Sequence, residues 1–525
     1  MPGRSCFYIE YTPMKYFLLM FLMIYMILPG YGQSWFSYHY DLNNDAEAGL
    51  KICKSNSRFA ILVGAKCNGN TTNCIELIRI DEHGELIWGV VLDTMDVVFF
   101  DNLVTTDSAI YVSGPLSGQD RFGIKLLQFN WEGQQVRQLD LSEQFPMSSV
   151  INLSQVDSSL VLTFNKRGGG QPLGNIPDTT YYYFLDYNLN YLRHYSLSSG
   201  EYRLEAGQGL QKASDGSGYY SARWASNSTW LTPNYLDLIK FDSLGNVMWT
   251  YPAEYSEVGR FPHLTLTPDG GVVLAWHKED FETIDPIYPL PSKLLKIDTW
   301  GTLEWEYTFE SIYPKELGTL FTTTDGDIVG IGLEELYDSP DTDYEVTAGW
   351  IFCMSPEGEL KWERNLLDSR YLASGLGMFL IDGLELDNGD LMFTGVLQDT
   401  FPGGVPAINN PNTWVIRTDS MGCLTPDCGR VEVVTEQREI ISEKIVSSII
   451  LFPNPATDKL FIEVKFPVNT EYAIKVCNSL GNTVFNSSLK NTQVELDISS
   501  HPSGLYYVFI EYNHQVRFVK KYIKL

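Results

Sequence analysis

The chain has 525 residues, with 37 Lys and Arg against 65 Asp and Glu, a formal net charge of −28, and 44% hydrophobic and 13% aromatic residues. That apolar content supports a large core and excludes a disordered or fibrous chain. An acidic excess on this scale repels phosphate backbones and anionic headgroups, which argues against nucleic acid or a membrane surface as partner.

In chain order, Met14 and Lys15 precede an apolar run over 16–28. The run is too short to cross a bilayer core of about 30 Å as a helix and reads as a secretory signal. Gly30 and Gly32 supply the small residues of a cleavage site, leaving Gln33 as the first mature residue and 1–32 as extension and signal. No later segment approaches eighteen apolar residues, so no transmembrane span is expected in the mature chain.

From 33 to 429 the sequence repeats. LIRIDEHGELIW (77–88), LIKFDSLGNVMW (238–249), LLKIDTWGTLEW (294–305) and IFCMSPEGELKW (351–362) are one unit, with degenerate copies at 126–136, 182–194 and 415–425. Taking Gly84, Gly133, Asn190, Gly245, Gly301, Gly358 and Gly422 as equivalent gives seven copies, about one every 56 residues. Each copy is a period-2 apolar run, a tight turn and a second run often marked by Trp, which is a β-hairpin. A second family of turns alternates with the first, as in SDGSGYYSA (214–222) and TDGDIVGIG (324–332). Two hairpins per period make a four-stranded blade, and seven periods make a seven-bladed β-propeller. The last copy lacks its Trp strand after Gly422, while SWFSYHYDL (34–42) resembles such a strand, so the N-terminal strand is expected to complete the last blade.

The D-x-x-G-x-x-x-W unit resembles the repeats of pyrroloquinoline-quinone-like propellers over most of 34–428. The cofactor does not come with the resemblance, because those enzymes use eight blades and a vicinal cysteine pair, and no two cysteines are adjacent here. No organic cofactor is expected. Asp is expected to cap each turn, Gly to permit it and Trp to pack between blades.

Cys67 with Cys74 and Cys423 with Cys428 are close pairs that export would oxidise to disulfides. Cys53, Cys353 and Cys477 lie in apolar runs and read as free thiols. Extra chain length collects mostly between the second and third strands of blades three to seven, which gives the propeller one face of tight turns and one loop-rich face. The loop-rich face is the binding candidate. Trp224 and Trp230 could stack on sugars or peptides there, beside His277, Glu279 and Asp280. Asp338, Asp341, Asp343 and Glu345 are hard oxygen donors for a candidate calcium site. No G-x-S-x-G elbow, P-loop or H-E-x-x-H is present, so no catalytic residue is assigned.

Residues 430–448 are charged and repeat-free and read as a linker. LFPNPATDKLFIEV (451–464), NSLGNTVF (478–485), LDISSHPSGLYYVFI (496–510) and FVKKYIKL (518–525) follow. The order of Pro453, Asn454, Pro455, Gly481, Gly504, Tyr506, Lys520 and Lys521 resembles the type A C-terminal sorting domain of the type IX secretion system of Bacteroidota. That resemblance implies a small Ig-like β-sandwich over 449–525, the type IX machinery as partner, and delivery outside the cell or to its surface. The whole chain thus reads as all-β and exported, a binding protein for a glycan or protein ligand. A secreted carbohydrate-active enzyme using loop-face carboxylates and a structural surface-layer protein are the alternatives.

Overall fold

The computed structural model describes residues 35–525 apart from 42–46, 68–71, 93–101, 116–122, 146–147, 167–178, 199–202, 207–208, 227–232, 255–261, 278–291, 310–314, 339–344, 369–376, 398–411, 426–427, 435–437, 442–448, 465–471, 479–482, 490–492 and 513–514. The described residues form strands and turns only. Strand pairing divides 36–418 into seven successive antiparallel sheets in a propeller-like repeat. Sheet 1 runs Glu47–Ser55, Arg58–Cys67, Thr72–Ile80 and Leu86–Leu92, and sheet 2 runs Leu103–Thr105, Ile110–Gly114, Lys125–Phe129 and Gln135–Asp140. Sheet 3 comprises Ser148–Val156, Ser159–Lys166, Thr179–Leu185 and Tyr191–Ser198. In sheet 4 the first strand is split into Arg203–Ala206 and Gln211–Lys212, which both pair with Tyr219–Ser226, followed by Pro233–Phe241 and Val247–Glu254. Sheet 5 has His263–Leu266, Val272–His277, Ser292–Ile297 and Leu303–Phe309; sheet 6 has Lys315–Thr322, Ile328–Asp338, Glu345–Met354 and Leu360–Asp368. Sheet 7 takes Met378–Glu385, Leu391–Leu397 and Asn412–Thr418, and its fourth strand is Phe36–Asp41, antiparallel to Asn412–Thr418. The N-terminal segment therefore occupies the strand position left vacant after Gly422.

Burial follows from this layering. Second strands are covered on both faces, and every residue of Ile110–Gly114 and Leu391–Leu397 is buried. Fourth strands lie at the perimeter, and Gln135–Asp140 is almost wholly exposed. The core is distributed between neighbouring sheets, with Tyr220 and Leu238 of sheet 4 meeting Leu274 and Trp276 of sheet 5. A cluster of the same kind joins the last sheet to the first, where Met392 and Val415 pack with Ile61 and Ile78.

The repeated unit acts as an inter-sheet joint. Asp242 Oδ1 accepts the backbone N–H groups of Leu244 and Asn246, both at 2.8 Å, and Asp81, Asp186, Asp298 and Asp419 cap their turns in the same way. The perimeter Trp of one sheet then lies over the turn glycine of the next. Trp305 Nε1 donates to Pro356 O at 2.9 Å while its ring covers Gly358, whose φ is 88°. Lys296, on the adjoining strand, donates to the same carbonyl at 3.3 Å. Trp249 and Lys240 converge likewise on Thr299 O, and Trp88 and Arg79 on Trp131 O. Between sheets 7 and 1 the donor to the turn carbonyl is Arg417, to Glu82 O at 2.8 Å, while Phe36 and Tyr38 cover Gly84.

In the third copy the residue with positive φ is Leu189, at 65°, rather than Asn190. Arg193 therefore pairs with Phe184 as Trp88 pairs with Arg79, and Tyr195, rather than His194, takes the place over Gly245.

Segment 430–448, read from sequence as a linker, contributes two strands to the sheets. Val431–Val434 adds in parallel outside Leu360–Asp368, and Arg438–Ile441 adds in parallel outside Phe36–Asp41. Their Val and Ile residues favour extended backbone, and the two additions cover perimeter edges that would otherwise be open. Cys423 and Cys428 are bonded, with Cα atoms 5.6 Å apart. Cys74 is also disulfide-bonded. Cys53, Cys353 and Cys477 are thiols outside any disulfide, and burial pushes the Cys353 thiol up to about 12.

Beyond 448, Ile449–Phe452, Lys459–Val464 and Gln493–Asp497 form one sheet, and Thr483–Leu489, Tyr472–Asn478, Gly504–Tyr512 and Gln515–Lys524 another. Both contribute to a core that includes Leu460, Ile462, Ile474, Val476, Val508 and Tyr522. Asn454 ties the two ends of this module together. Its Nδ2 donates to Lys521 O at 3.1 Å, and its Oδ1 accepts from Ile523 N at 3.0 Å. Tyr506 stacks on Tyr522 at 5.2 Å and donates to Pro502 O. No helix among the described residues is long and apolar enough to cross a membrane.

Candidate functional site

The first strands of successive sheets neighbour one another and border an open cavity of about 360 Å³. Sheets 1 to 5 all contribute to its wall. Lys51 comes from the middle of its strand, while Gln155, Lys212 and Leu266 lie within a few residues of the turn that closes theirs. The cavity therefore extends toward the face of tight turns.

Its polar lining is fixed from behind. Lys51 Nζ pairs with Asp382 at 3.2 Å, and Lys212 Nζ pairs with Asp157. Gln155 Nε2 donates to Tyr187 Oη at 2.8 Å, and Gln211 Nε2 donates to Leu264 O at 3.1 Å. Deeper in, the Asn152 carboxamide occupies the space a side chain at residue 209 would need: a Cβ on Gly209 would lie 1.8 Å from Asn152 Oδ1, so only glycine fits. That oxygen is buried and has no hydrogen-bond partner among the described residues. Leu103, Val104, Leu153, Leu210 and Leu266 are the apolar residues of the lining.

A second polar cluster sits in sheet 6. Lys315 Nζ contacts Glu363 and lies 3.5 Å from Glu334. Asn365 Nδ2 donates to Glu334 at 2.7 Å, and Trp350 Nε1 donates to Glu363 at 2.9 Å. Arg430, just beyond the last repeat, reaches Glu334 at 3.1 Å and Glu363 at 3.4 Å. Both carboxylates are shared between two cations and serve to hold the start of the 430–441 segment against sheet 6. Neither lines the cavity.

Of the residues singled out on the loop-rich face, Trp224 is on the second strand of sheet 4, opposite Leu236, and His277 ends the second strand of sheet 5, opposite Ser292. Trp230, Glu279 and Asp280 lie outside the described residues. So do Asp341 and Asp343 of the acidic loop, whose flanks Asp338 and Glu345 are register partners in sheet 6. The described residues contain no group of three or more His, Cys, Asp or Glu placed to hold a metal. Gly30, Gly32, Gln33 and Gly481 also lie outside the described residues. Sequence reasoning missed Gln155, Gln211 and Lys212, whose one available signal was a polar residue just before a turn of the second family.

Residues 450–525 match the family described as secretion system C-terminal sorting domain. No curated protein sequence matches the chain. Among solved structures, the chain is similar to PorZ of Porphyromonas gingivalis, an essential surface component of its type IX secretion system, with 10% identity over 93% of this chain and 70% of that one and a TM-score of 0.32. It is also similar to the polysaccharide lyase Uly1, at 8% identity over 71% and 90% of the two chains and a TM-score of 0.45, and to the endosialidase of phage phi92, at 8% over 93% and 87% and a TM-score of 0.40. The sorting domain at 450–525 implies interaction with the type IX secretion machinery and export to the cell surface or beyond.

Proposed function

We propose that this chain is an exported binding protein of a Bacteroidota cell, in which a seven-bladed β-propeller presents a glycan or protein ligand face and an Ig-like sandwich delivers it. The observation that carries the reading is the union of a sorting domain at 450–525 with a repeated-sheet scaffold held by Asp-capped turns and indole-to-carbonyl joints. Such a scaffold keeps its connecting loops in register around a rim, which suits recognition at the loop-rich face. Trp224 and Trp230 supply flat apolar surface there, His277, Glu279 and Asp280 the polar contacts, and Asp338, Asp341, Asp343 and Glu345 a calcium-dependent contribution.

The test incubates the mature chain, 33–525, with immobilised polysaccharides and glycoproteins, with and without calcium, and reads retention and released reducing ends together. Retention without release, weakened by Trp224→Ala or Trp230→Ala at unchanged melting temperature, is expected. Release of reducing ends, or equal retention by the variants, overturns the reading.

A further inference from the structure

We propose that the axial cavity at the tight-turn end is a second binding site, for a neutral, hydroxyl-rich ligand of monosaccharide size. It is separate from the loop-rich face. The inference rests on how the cavity spends its hydrogen bonds. Tyr187 Oη donates to Asp157 O at 3.2 Å and accepts from Gln155 Nε2 at 2.8 Å. Leu264 O is a carbonyl and only accepts, so Gln211 must also present Nε2 to the wall. Both amides thus spend Nε2 on the wall, which leaves their Oε1 atoms as the acceptors at residues that line the cavity.

Charge narrows the ligand class. Lys51 and Lys212 are each matched by a carboxylate, Asp382 and Asp157, so the lining is balanced overall. An anion would have to displace one of those carboxylates, against a chain already at −28. A cation would have to displace an ammonium group from its carboxylate in the same way. A neutral hydroxyl group suits the site, because it donates to a Gln Oε1 and accepts from an ammonium N–H at once. Leu266, half-buried, offers apolar surface to the C–H face of a sugar ring, and about 360 Å³ lies at the lower end of the range for small-molecule sites.

Saturation-transfer NMR on the mature chain with glucose, galactose and N-acetylglucosamine, and with glucuronate and glucosamine as charged counterparts, tests this. At least one neutral sugar should give a signal, with the charged counterparts at least tenfold weaker. Gln211→Leu and Gln155→Leu should each weaken binding tenfold or more at unchanged melting temperature. Leu266→Phe narrows the mouth without altering either amide and should weaken it as well. Trp224→Ala should leave the signal unchanged, which separates this site from the loop-rich face. Absence of signal from all neutral sugars, equal binding of the charged forms, or wild-type binding by folded Gln211→Leu and Gln155→Leu overturns the proposal.

Discussion

Replacing Gly358 by Ala tests whether the joint between sheets 5 and 6 works as the geometry implies. Two penalties arise together. Residue 358 has φ 88°, where a residue with a Cβ costs about 1–2 kcal/mol. The new Cβ would also lie 2.8 Å from the Trp305 ring, which must move. Moving it lengthens the indole hydrogen bond to Pro356 O, worth about 1 kcal/mol, and loosens the packing by a similar amount. Gly358→Ala should therefore cost about 3–4 kcal/mol in the natural background. In a Trp305→Ala background the ring is gone and only the backbone strain remains, about 1–2 kcal/mol. Trp305→Ala alone should cost about 2–4 kcal/mol, since the indole is only partly buried and Lys296 still serves Pro356 O. The double-mutant cycle should thus show about 2 kcal/mol of coupling, read from urea unfolding midpoints and slopes. If the two substitutions add to within about 0.5 kcal/mol, the ring does not depend on the absent side chain and the joint has been misread.

Two further outcomes follow from the perimeter and from the charged joints. A chain ending at 429 leaves the edges of Leu360–Asp368 and Phe36–Asp41 unpaired and takes Arg430 from Glu334, which is buried; compared with one ending at 441 it should melt lower and scatter more light, and matching melts with both chains monomeric would refute the role given to 430–441. At the Lys296 joint, burial works against the charge of Asp269, but hydrogen bonds from Lys296, Thr267 and Gly271 outweigh it and hold the carboxyl below its usual range. Burial likewise opposes the Lys296 charge and is outweighed by Asp269 and Glu304, so its ammonium is held above its usual range. The carboxylate contribution is thus fully present above the unfolded pKa near 4 and lost as pH falls through the lowered folded value. The lysine contribution is fully present below the unfolded pKa near 10.4 and lost as pH rises through the raised folded value. Asp269→Asn should flatten the loss of stability below pH 4 in urea melts taken across the acid range, and an unchanged acid limb would refute the assignment.

How much of this was legible depended on whether a residue's role is local. Asp81, Asp242 and Asp298 cap turns through hydrogen bonds spanning two and four residues, and a tight turn needs a residue tolerant of positive φ, so spacing alone exposed the hairpins. Closure was legible for a different reason: a strand was missing at one end of the repeat and a matching one stood spare at the other. The third copy was misaligned because Leu189 adopts the left-handed conformation that glycine holds in the other turns, so the sequence put the special position one residue late. The 431–441 strands were hidden because four-residue edge strands of alternating Val, Ile and charge look like any solvated connection until a partner edge is identified.

The cavity was illegible for a deeper reason. Sorting loops by length directs attention to the face with the longer connections, and length reports room for insertion rather than the chemistry that faces the axis. Gln155 and Gln211 stand in different sheets, 56 residues apart, and each looks in isolation like an ordinary polar residue before a turn. What makes them a pair is that Tyr187, from a turn of sheet 3, and Leu264, from the first strand of sheet 5, each accept from Nε2 and so turn both amides the same way. That constraint exists only after the ring of sheets has formed. The same holds for Lys51 and Lys212, whose net effect is set by Asp382, 331 residues away in sequence, and by Asp157, 55 residues away. A repeat therefore predicts its scaffold from each copy separately, while a site on its axis is built from the differences between copies, and those acquire meaning only when the copies face one another.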